Sequence, residues 1–199
     1  MKKLSLKKLI KLFLICYGIL FFWSCSTSEY HKLVKTELNK KIKFDSLFFD
    51  IKLGERKEDY FDKIWELNKK GIIFPATGEY GTLRYILKNE NSSSDSLEII
   101  MDFFPGFNKK NRLNKLKLMF SYSGWAIWNN ELHSDKLIVK VLDTIKKWYP
   151  GNDFILIKGE KFKMNIPDLY IKVDGNRQFK VYLIDNMKVI ADVENLNDK

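Results

Sequence analysis

The chain has 199 residues, of which 45% are hydrophobic and 15% aromatic, and it carries a formal net charge of +10. This length suits one ordinary domain or two small ones, with enough apolar residues for a core. The first 24 residues hold five lysines and no acidic residue, which leaves 30 basic against 25 acidic residues in the remainder. A balance of +5 with interleaved acids argues against a nucleic-acid-binding protein.

The N-terminus has the layout of an export signal. Five lysines within the first 11 residues precede an unbroken apolar run from Leu12 to Trp23. Twelve apolar residues fit the hydrophobic region of a signal peptide, which is about 7 to 15 residues long, and are too few for a membrane span of about 20. We therefore predict a signal peptide over residues 1–24.

The segment Phe22-Trp23-Ser24-Cys25 resembles the lipobox of bacterial lipoproteins, in the looser forms found in Bacteroidota-like members. Ser24 and Cys25 match the lipobox pattern, whereas Phe22 and Trp23 depart from its usual residues. The resemblance implies that Cys25 is acylated, by chains such as palmitate, and anchors the protein to a membrane. Two or more acyl chains give stable attachment.

Cysteine usage is consistent with this interpretation. Cys16 would leave with the signal, so the mature chain keeps Cys25 alone and forms no intramolecular disulfide. Two alternatives remain: cleavage after Ser28, which would release a soluble periplasmic protein, and retention of an uncut N-terminal anchor. Ser26 resembles the residue that follows the cysteine in lipoproteins directed to the outer membrane, which implies an envelope location there, facing the periplasm or the exterior.

Residues 25–46 are polar and rich in lysine, and we predict a tether that is partly helical. Two segments with the same order of elements follow. The first, residues 47–130, has a helical pattern over Glu58 to Lys70 closed by Gly71. Four strands are then predicted from apolar and alternating runs, at Ile72 to Ala76, Thr82 to Leu87, Leu97 to Phe104 and Leu113 to Tyr122.

The second segment, residues 131–199, begins with a more strongly amphipathic helix that starts at Ser134-Asp135 and stops at Pro150-Gly151. Its four predicted strands are Phe154 to Lys158, Leu169 to Val173, Arg177 to Ile184 and Met187 to Val193. Asp174-Gly175-Asn176 has the composition of a tight hairpin turn. We predict an α+β fold of two tandem units, each a helix followed by a four-stranded antiparallel sheet.

This order resembles tandem beta-lactamase-inhibitory-protein-like domains and, more distantly, small lipoproteins of the outer-membrane assembly machinery. The resemblance is carried by Phe49-Asp50-Ile51-Lys52-Leu53-Gly54 ahead of the first helix and by the hairpin from Tyr170 to Val193. It implies a sheet with helices on one face, whose other face grips another protein. Function does not follow from the fold alone.

No motif in the sequence indicates catalysis. His31 and His133 are the only two histidines and stand about a hundred positions apart, which disfavours a metal site or a catalytic triad. The serine-rich stretch 91–96 lacks the Gly-x-Ser-x-Gly elbow of a hydrolase. We predict a protein that is not an enzyme and needs no metal or cofactor.

The most unusual local feature is the aromatic segment from Phe120 to Asn130, which joins the two predicted units. Its Tyr122, Trp125 and Trp128 are candidate binding residues, because aromatic side chains stack on sugars and anchor protein partners. The competing interpretation, which we favour, is that the tryptophans fill the seam between the units.

Together these patterns predict a membrane-anchored envelope lipoprotein with a protein-binding or structural role, held in the membrane by Cys25. Two alternatives stay open. One is an envelope glycan-binding lipoprotein that uses Trp125 and Trp128. The other is an immunity-type inhibitor of a toxin in the periplasm.

Overall fold

The structure is a computed structural model that describes residues 28–76, 82–87, 98–159 and 167–198. The predicted signal peptide and Cys25 lie outside these residues. The described part contains three α-helices: α1 Glu29–Asn39, α2 Lys57–Lys69 and α3 Ser134–Trp148. Its eight strands are β1 Phe74–Pro75, β2 Leu83–Leu87, β3 Ile99–Phe107, β4 Leu113–Tyr122, β5 Ile155–Ile157, β6 Leu169–Asp174, β7 Arg177–Leu183 and β8 Val189–Asn195. No helix among the described residues is both long and apolar enough to cross a membrane.

The two predicted helices and eight predicted strands are confirmed, most of them to within two residues at each end. The main difference is β3, which continues to Phe107 although Pro105-Gly106 indicates a turn. The ladder survives there because Gly106 pairs with Lys115 and the register shifts only at the next residue. A bulge of this kind lets a strand pass an irregular position without ending.

All eight strands form one antiparallel sheet in the order β1-β2-β3-β4-β8-β7-β6-β5. The two predicted sets of four strands are joined into this one sheet, since β4 pairs with β8 over Lys115–Phe120. The physical reason is that each four-stranded sheet would otherwise expose an edge strand with unpaired backbone groups. Pairing β4 with β8 supplies hydrogen-bond partners to the backbone groups of both of these strands.

One face of this sheet is covered by α2 and α3, which belong with it to a single apolar core. Tyr60 and Ile64 of α2, and Val141 and Ile145 of α3, are buried in that core. The strand residues opposite them include Phe103, Leu116, Leu118, Phe120, Phe179 and Val181, all nearly inaccessible. Core residues from both predicted units thus pack together.

Helix α1 lies on the other face of the sheet, over β6. Tyr30, Leu33, Val34 and Leu38 pack against a small cluster of Ile171, Val173 and Leu196. Most of the segment predicted as a tether is therefore part of the folded body from Glu29 onward. Its apolar residues recur at helical spacing, and the many lysines between them hide that pattern in the sequence.

The turn between β6 and β7 holds the end of α1 and the chain that follows it. The amide of Gly175 donates to Glu37 Oε2 at 3.0 Å, and Lys40 donates to the other oxygen of the same carboxylate. The Asn176 side chain accepts from the amide of Phe44 at 2.7 Å. Residues far apart in sequence are thereby locked into one polar cluster.

Glu37 should make the fold sensitive to acid. Burial raises the pKa of its carboxyl, but the hydrogen bonds from Lys40, Gly175 and Asn152 together outweigh burial and hold the pKa below its ordinary value of 4.5. A depressed pKa stabilises the fold above pH 4.5, and that stabilisation is lost as the pH falls through the folded-state value.

We expect Glu37→Gln to have a lower free energy of unfolding than the native protein at about pH 7. The difference between these two free energies should shrink as the pH falls toward about 3. Urea unfolding at several pH values measures this difference. Glu29→Gln, on the exposed side of α1, is the matched control and should follow the native curve. A constant gap between Glu37→Gln and the native protein at all pH values would contradict the expectation.

A second polar network, whose three charged residues are buried, lies beside the same turn. Lys172 Nζ lies 2.8 Å from Asp174 Oδ2 and donates to the carbonyl of Asn152 at 2.6 Å. Arg177 lies 3.6 Å from the same carboxylate and donates to the carbonyl of Ser46 at 2.9 Å. Burial lowers the pKa of Arg177, and the charge of Asp174 acts against that shift. Asp174 is the one acidic partner of two buried cations in this network.

Candidate binding face of the sheet

The part of the sheet that α1 leaves uncovered presents three rows of side chains, which we call the open face. Residues opposite each other in neighbouring strands point to the same side of a sheet, so the register defines each row. The rows are Arg84, Asp102, Met119, Ile190 and Tyr182; then Phe104, Lys117, Asp192 and Lys180; then Gly106, Lys115 and Glu194. Each row contains charged residues together with uncharged ones.

A groove with a volume of about 550 Å³ runs along this face. Its floor is apolar, with the half-buried Met119 beside the buried Ile190. Lys117 and Lys188 line it together with Ile184, which is 59% exposed. The groove thus combines an apolar centre with a rim of ammonium groups, the arrangement typical of a binding surface.

The acidic groups at the groove are held by partners within the sheet. Arg84 binds Asp102 in bidentate fashion, with Nε 2.7 Å from Oδ1 and Nη2 2.8 Å from Oδ2. This pairing raises the pKa of Arg84. Bidentate guanidinium–carboxylate pairs are strong and geometrically specific, so the carboxylate of Asp102 is fixed in place.

The neighbouring acids are compensated in the same way. Lys115 Nζ lies 3.3 Å from Asp192 and 3.4 Å from Glu194, and Lys180 lies 3.1 Å from Glu194. The Tyr182 hydroxyl donates to Asp192 Oδ2 at 3.1 Å. Burial and the charge of Asp192 raise the pKa of Tyr182 to about 12, so the hydroxyl keeps its proton at neutral pH.

Lys117 and Lys188 differ from these residues. Neither has a carboxylate partner among the residues that the structure describes. With the acids around them already neutralised, these two ammonium groups leave the groove with unbalanced positive charge. A complementary ligand would bring carboxylates to the rim and apolar groups to the floor.

The three aromatic residues predicted as a binding set do not form one surface. Tyr122 is 5% exposed and lies on the helix side, with Lys140 Nζ 5.1 Å from its ring centre. Trp125 is half-buried, and its Nε1 donates to the carbonyl of Asn186 at 3.2 Å. Trp128 is 85% exposed. Trp125 packs against the apolar core, whereas Trp128 projects into solvent.

Neither histidine lies in a cluster of candidate ligands. His31 Nδ1 is 2.6 Å from the Ser28 hydroxyl at the start of α1, and His133 Nε2 is 3.1 Å from the carbonyl of Ile127. Within residues 28–76, 82–87, 98–159 and 167–198, no group of three or more His, Cys, Asp or Glu side chains is placed to hold a metal ion.

A smaller cavity of about 330 Å³ lies on the covered side of the sheet. It is lined mostly by aromatic residues, among them Phe48, Phe49 and Trp148. Phe49 and Asp50 both have φ of 56°, a left-handed conformation that is unusual for residues other than glycine. The Tyr149 hydroxyl accepts from the amide of Phe48 at 2.9 Å and holds this turn against α3.

Sequence reasoning did not single out the groove, although its signal is present. In β4 the buried Leu116 and Leu118 alternate with Lys115 and Lys117, which marks one covered and one polar face. In β8 the same alternation places Asp192 opposite Lys117. The strand register decides which charges meet, and a single sequence does not reveal that register.

No protein-family model, no curated protein and no solved structure matches this chain significantly.

Proposed function

We propose that the chain is an envelope lipoprotein that is anchored through acylated Cys25 and binds another protein through the groove of its open face. Its role in this proposal is binding rather than catalysis. The export-signal layout of residues 1–24 and the lipobox-like Ser24-Cys25 support the anchoring. The location that follows is the outer membrane, facing the periplasm or the exterior.

The observation that carries the binding proposal is the charge arrangement of the groove. Its acids are neutralised within the sheet, while Lys117 and Lys188 are not, and Met119 and Ile190 form an apolar floor between them. Interfaces between proteins commonly combine an apolar centre with a polar rim. Because the groove lies on a paired β-sheet, its shape exists before binding, which lowers the entropic cost of association.

We also propose that the fold consists of two tandem units, α2 with β1–β4 and α3 with β5–β8, joined through their last strands. The strand order supports this, because it runs up through the first four strands and back down through the last four. This arrangement is what the resemblance to tandem beta-lactamase-inhibitory-protein-like domains implies. Each unit contributes its last strand to the middle of the open face.

The binding proposal predicts a loss of partner recovery when the groove is altered at exposed positions. The test is a crosslinking pull-down of the full-length protein from its own envelope, comparing the native chain with Lys117→Glu combined with Ile184→Asp. Both side chains are exposed, so the fold should persist. We expect recovery of one stoichiometric protein partner to fall roughly tenfold or more, as when a central interface contact is lost.

The matched control is Lys147→Glu combined with Val139→Asp, which makes the same changes at exposed positions of α3. Its recovery of the partner should equal that of the native protein. Equal recovery with the groove variant and the control variant would overturn the assignment of the groove. If the recovered partner is an envelope toxin, the protein is an immunity-type inhibitor, and its binding role is to neutralise that toxin.

The glycan-binding alternative is favoured by one observation, the 85% exposure of Trp128 next to Ile127 at 63%. Exposed aromatic rings stack on sugar faces, and an apolar pair at a loop tip is available for that contact. In the same pull-down, this alternative predicts that glycan fragments are recovered in place of a protein. It would be established if Trp128→Ala abolished that recovery and the groove variant retained it.

A further inference from the structure

The distance between the acylated residue and the folded domain is short. Only Ser26 and Thr27 separate Cys25 from Ser28, the residue that caps α1 and accepts from the amide of His31. Three residue steps span at most about 11 Å in a fully extended chain. If Cys25 is anchored in a bilayer, the start of α1 lies at the membrane surface.

Helix α1 is fixed to the sheet near both of its ends, so the sheet stays close to the membrane together with the helix. The Tyr30 hydroxyl donates to Gln178 Oε1 at 2.7 Å near the start of the helix, and Glu37 accepts from Gly175 near its end. Between these points Leu33, Val34 and Leu38 pack on β6. The anchor therefore orients the whole domain and does not merely tether it.

The outward side of this segment is basic. Lys32 and Lys35 are exposed and lie three residues apart, on the side of α1 opposite its packed residues. Lys41 and Lys43 follow and are also exposed. None of these four lysines has a carboxylate partner in the part of the chain that the structure describes.

The acidic groups of the same segment do not balance that charge. Glu37 is 4% exposed, faces the sheet and pairs with Lys40. Glu29 is the one exposed acid of α1. Ile42, which is 50% exposed, and Phe44, which is 36% exposed, add apolar surface beside the lysines. A basic surface with interspersed apolar groups suits the headgroup region of an anionic bilayer.

We propose that residues 29–44, which we call the basic strap, lie against the anionic lipid surface in which Cys25 is anchored. This inference rests on the acylation of Cys25 in the proposed function. Attraction between lysines and anionic headgroups falls off within a Debye length of about 8 Å at physiological salt, so the strap gains from it only by lying along the surface, to which the short spacing to Cys25 brings its first residues. Helix α1, about 10 Å across, then separates the sheet from the bilayer.

The test uses the full-length protein, expressed in a host that acylates lipoproteins and reconstituted into two kinds of vesicle. One kind contains phosphatidylcholine alone, and the other contains phosphatidylcholine mixed with phosphatidylglycerol. Acetylation by an amine-reactive reagent is read at each lysine by mass spectrometry. We expect Lys32, Lys35, Lys41 and Lys43 to be labelled roughly threefold more slowly in the anionic vesicles, and the protection to vanish in about 0.5 M salt.

Lys140 and Lys147 on α3, in the layer on the opposite side of the sheet, are internal controls and should label equally in both vesicles. In a Lys41→Glu, Lys43→Glu variant the protection of Lys32 and Lys35 should fall. The matched Lys140→Glu, Lys147→Glu variant should retain it.

The same mass spectra also report whether the N-terminal peptide is acylated at Cys25. They therefore distinguish failure of the membrane contact from failure of the anchor. Equal labelling of the strap in both vesicles, with Cys25 acylated, would overturn the membrane contact and leave the anchor standing. An unacylated N-terminus would overturn both the anchor and this inference.

Discussion

Asp174→Ala is expected to destabilise the fold by about 3 to 5 kcal/mol, the cost of removing one partner from a buried ion pair. Lys172 and Arg177 have 1% and 5% of their side-chain surface exposed, and Asp174 is the carboxylate that compensates both. The substitution also removes Asp174 Oδ1, which accepts a hydrogen bond from the amide of Asn152 at 2.9 Å. The measurement is the free energy of unfolding from urea denaturation followed by tryptophan fluorescence.

The control for this experiment is an ion pair of similar geometry at the surface. Lys146 Nζ lies 2.6 Å from Asp153, and their side chains are 50% and 82% exposed. Asp153→Ala should leave the unfolding midpoint unchanged, because water screens an exposed pair. Equal effects of Asp153→Ala and Asp174→Ala would show that burial does not govern the contribution of the inner network.

Gly175→Ala should destabilise the protein by about 2 to 4 kcal/mol, since it combines a strained backbone with a steric clash. Gly175 has a φ of +53°, and a Cβ there would collide with the Ile42 carbonyl and lie 2.9 Å from Cδ2 of Phe44. The substitution should also loosen residues 41–44, because the turn holds them against the sheet. Urea denaturation measures the first effect, and amide hydrogen exchange at these residues measures the second.

Gly71 provides the matched comparison. Its φ is +66°, so alanine is strained there too, but nothing lies within 4 Å of the added Cβ. Gly71→Ala should therefore cost only about 1 kcal/mol, the contribution of backbone conformation alone. If the two variants were equally stable, the contact between the β6–β7 turn and residues 42–44 would contribute nothing to the fold.

The elements of this protein could be predicted from sequence because their signals are local. In α3, Ile138, Val141 and Ile145 recur at helical spacing, and in β4 apolar and charged residues alternate. These periods of 3.6 and 2 residues require no knowledge of distant contacts. Helix α1 was less visible, because its buried face includes Tyr30 and Glu37, whose partners Gln178 and Gly175 stand more than a hundred residues away.

The candidate groove could not be predicted in the same way. Alternation marks Lys117 and Asp192 as residues on a polar face, but their opposition depends on the pairing of β4 with β8. A shift of one residue in that pairing would move every side chain of a strand to the other face. The unpaired state of Lys117 is likewise visible only once the ion pairs of Lys115 and Lys180 are known.

By itself the sequence determined the helices and strands, the signal-like N-terminus and the balance of charge, because each depends on neighbouring residues or on composition. The tertiary structure alone decided that the strands form one sheet, that α1 covers part of its second face and which charges stay unpaired. Those outcomes depend on register and on contacts between residues such as Glu37 and Gly175, which are brought together only when the chain folds.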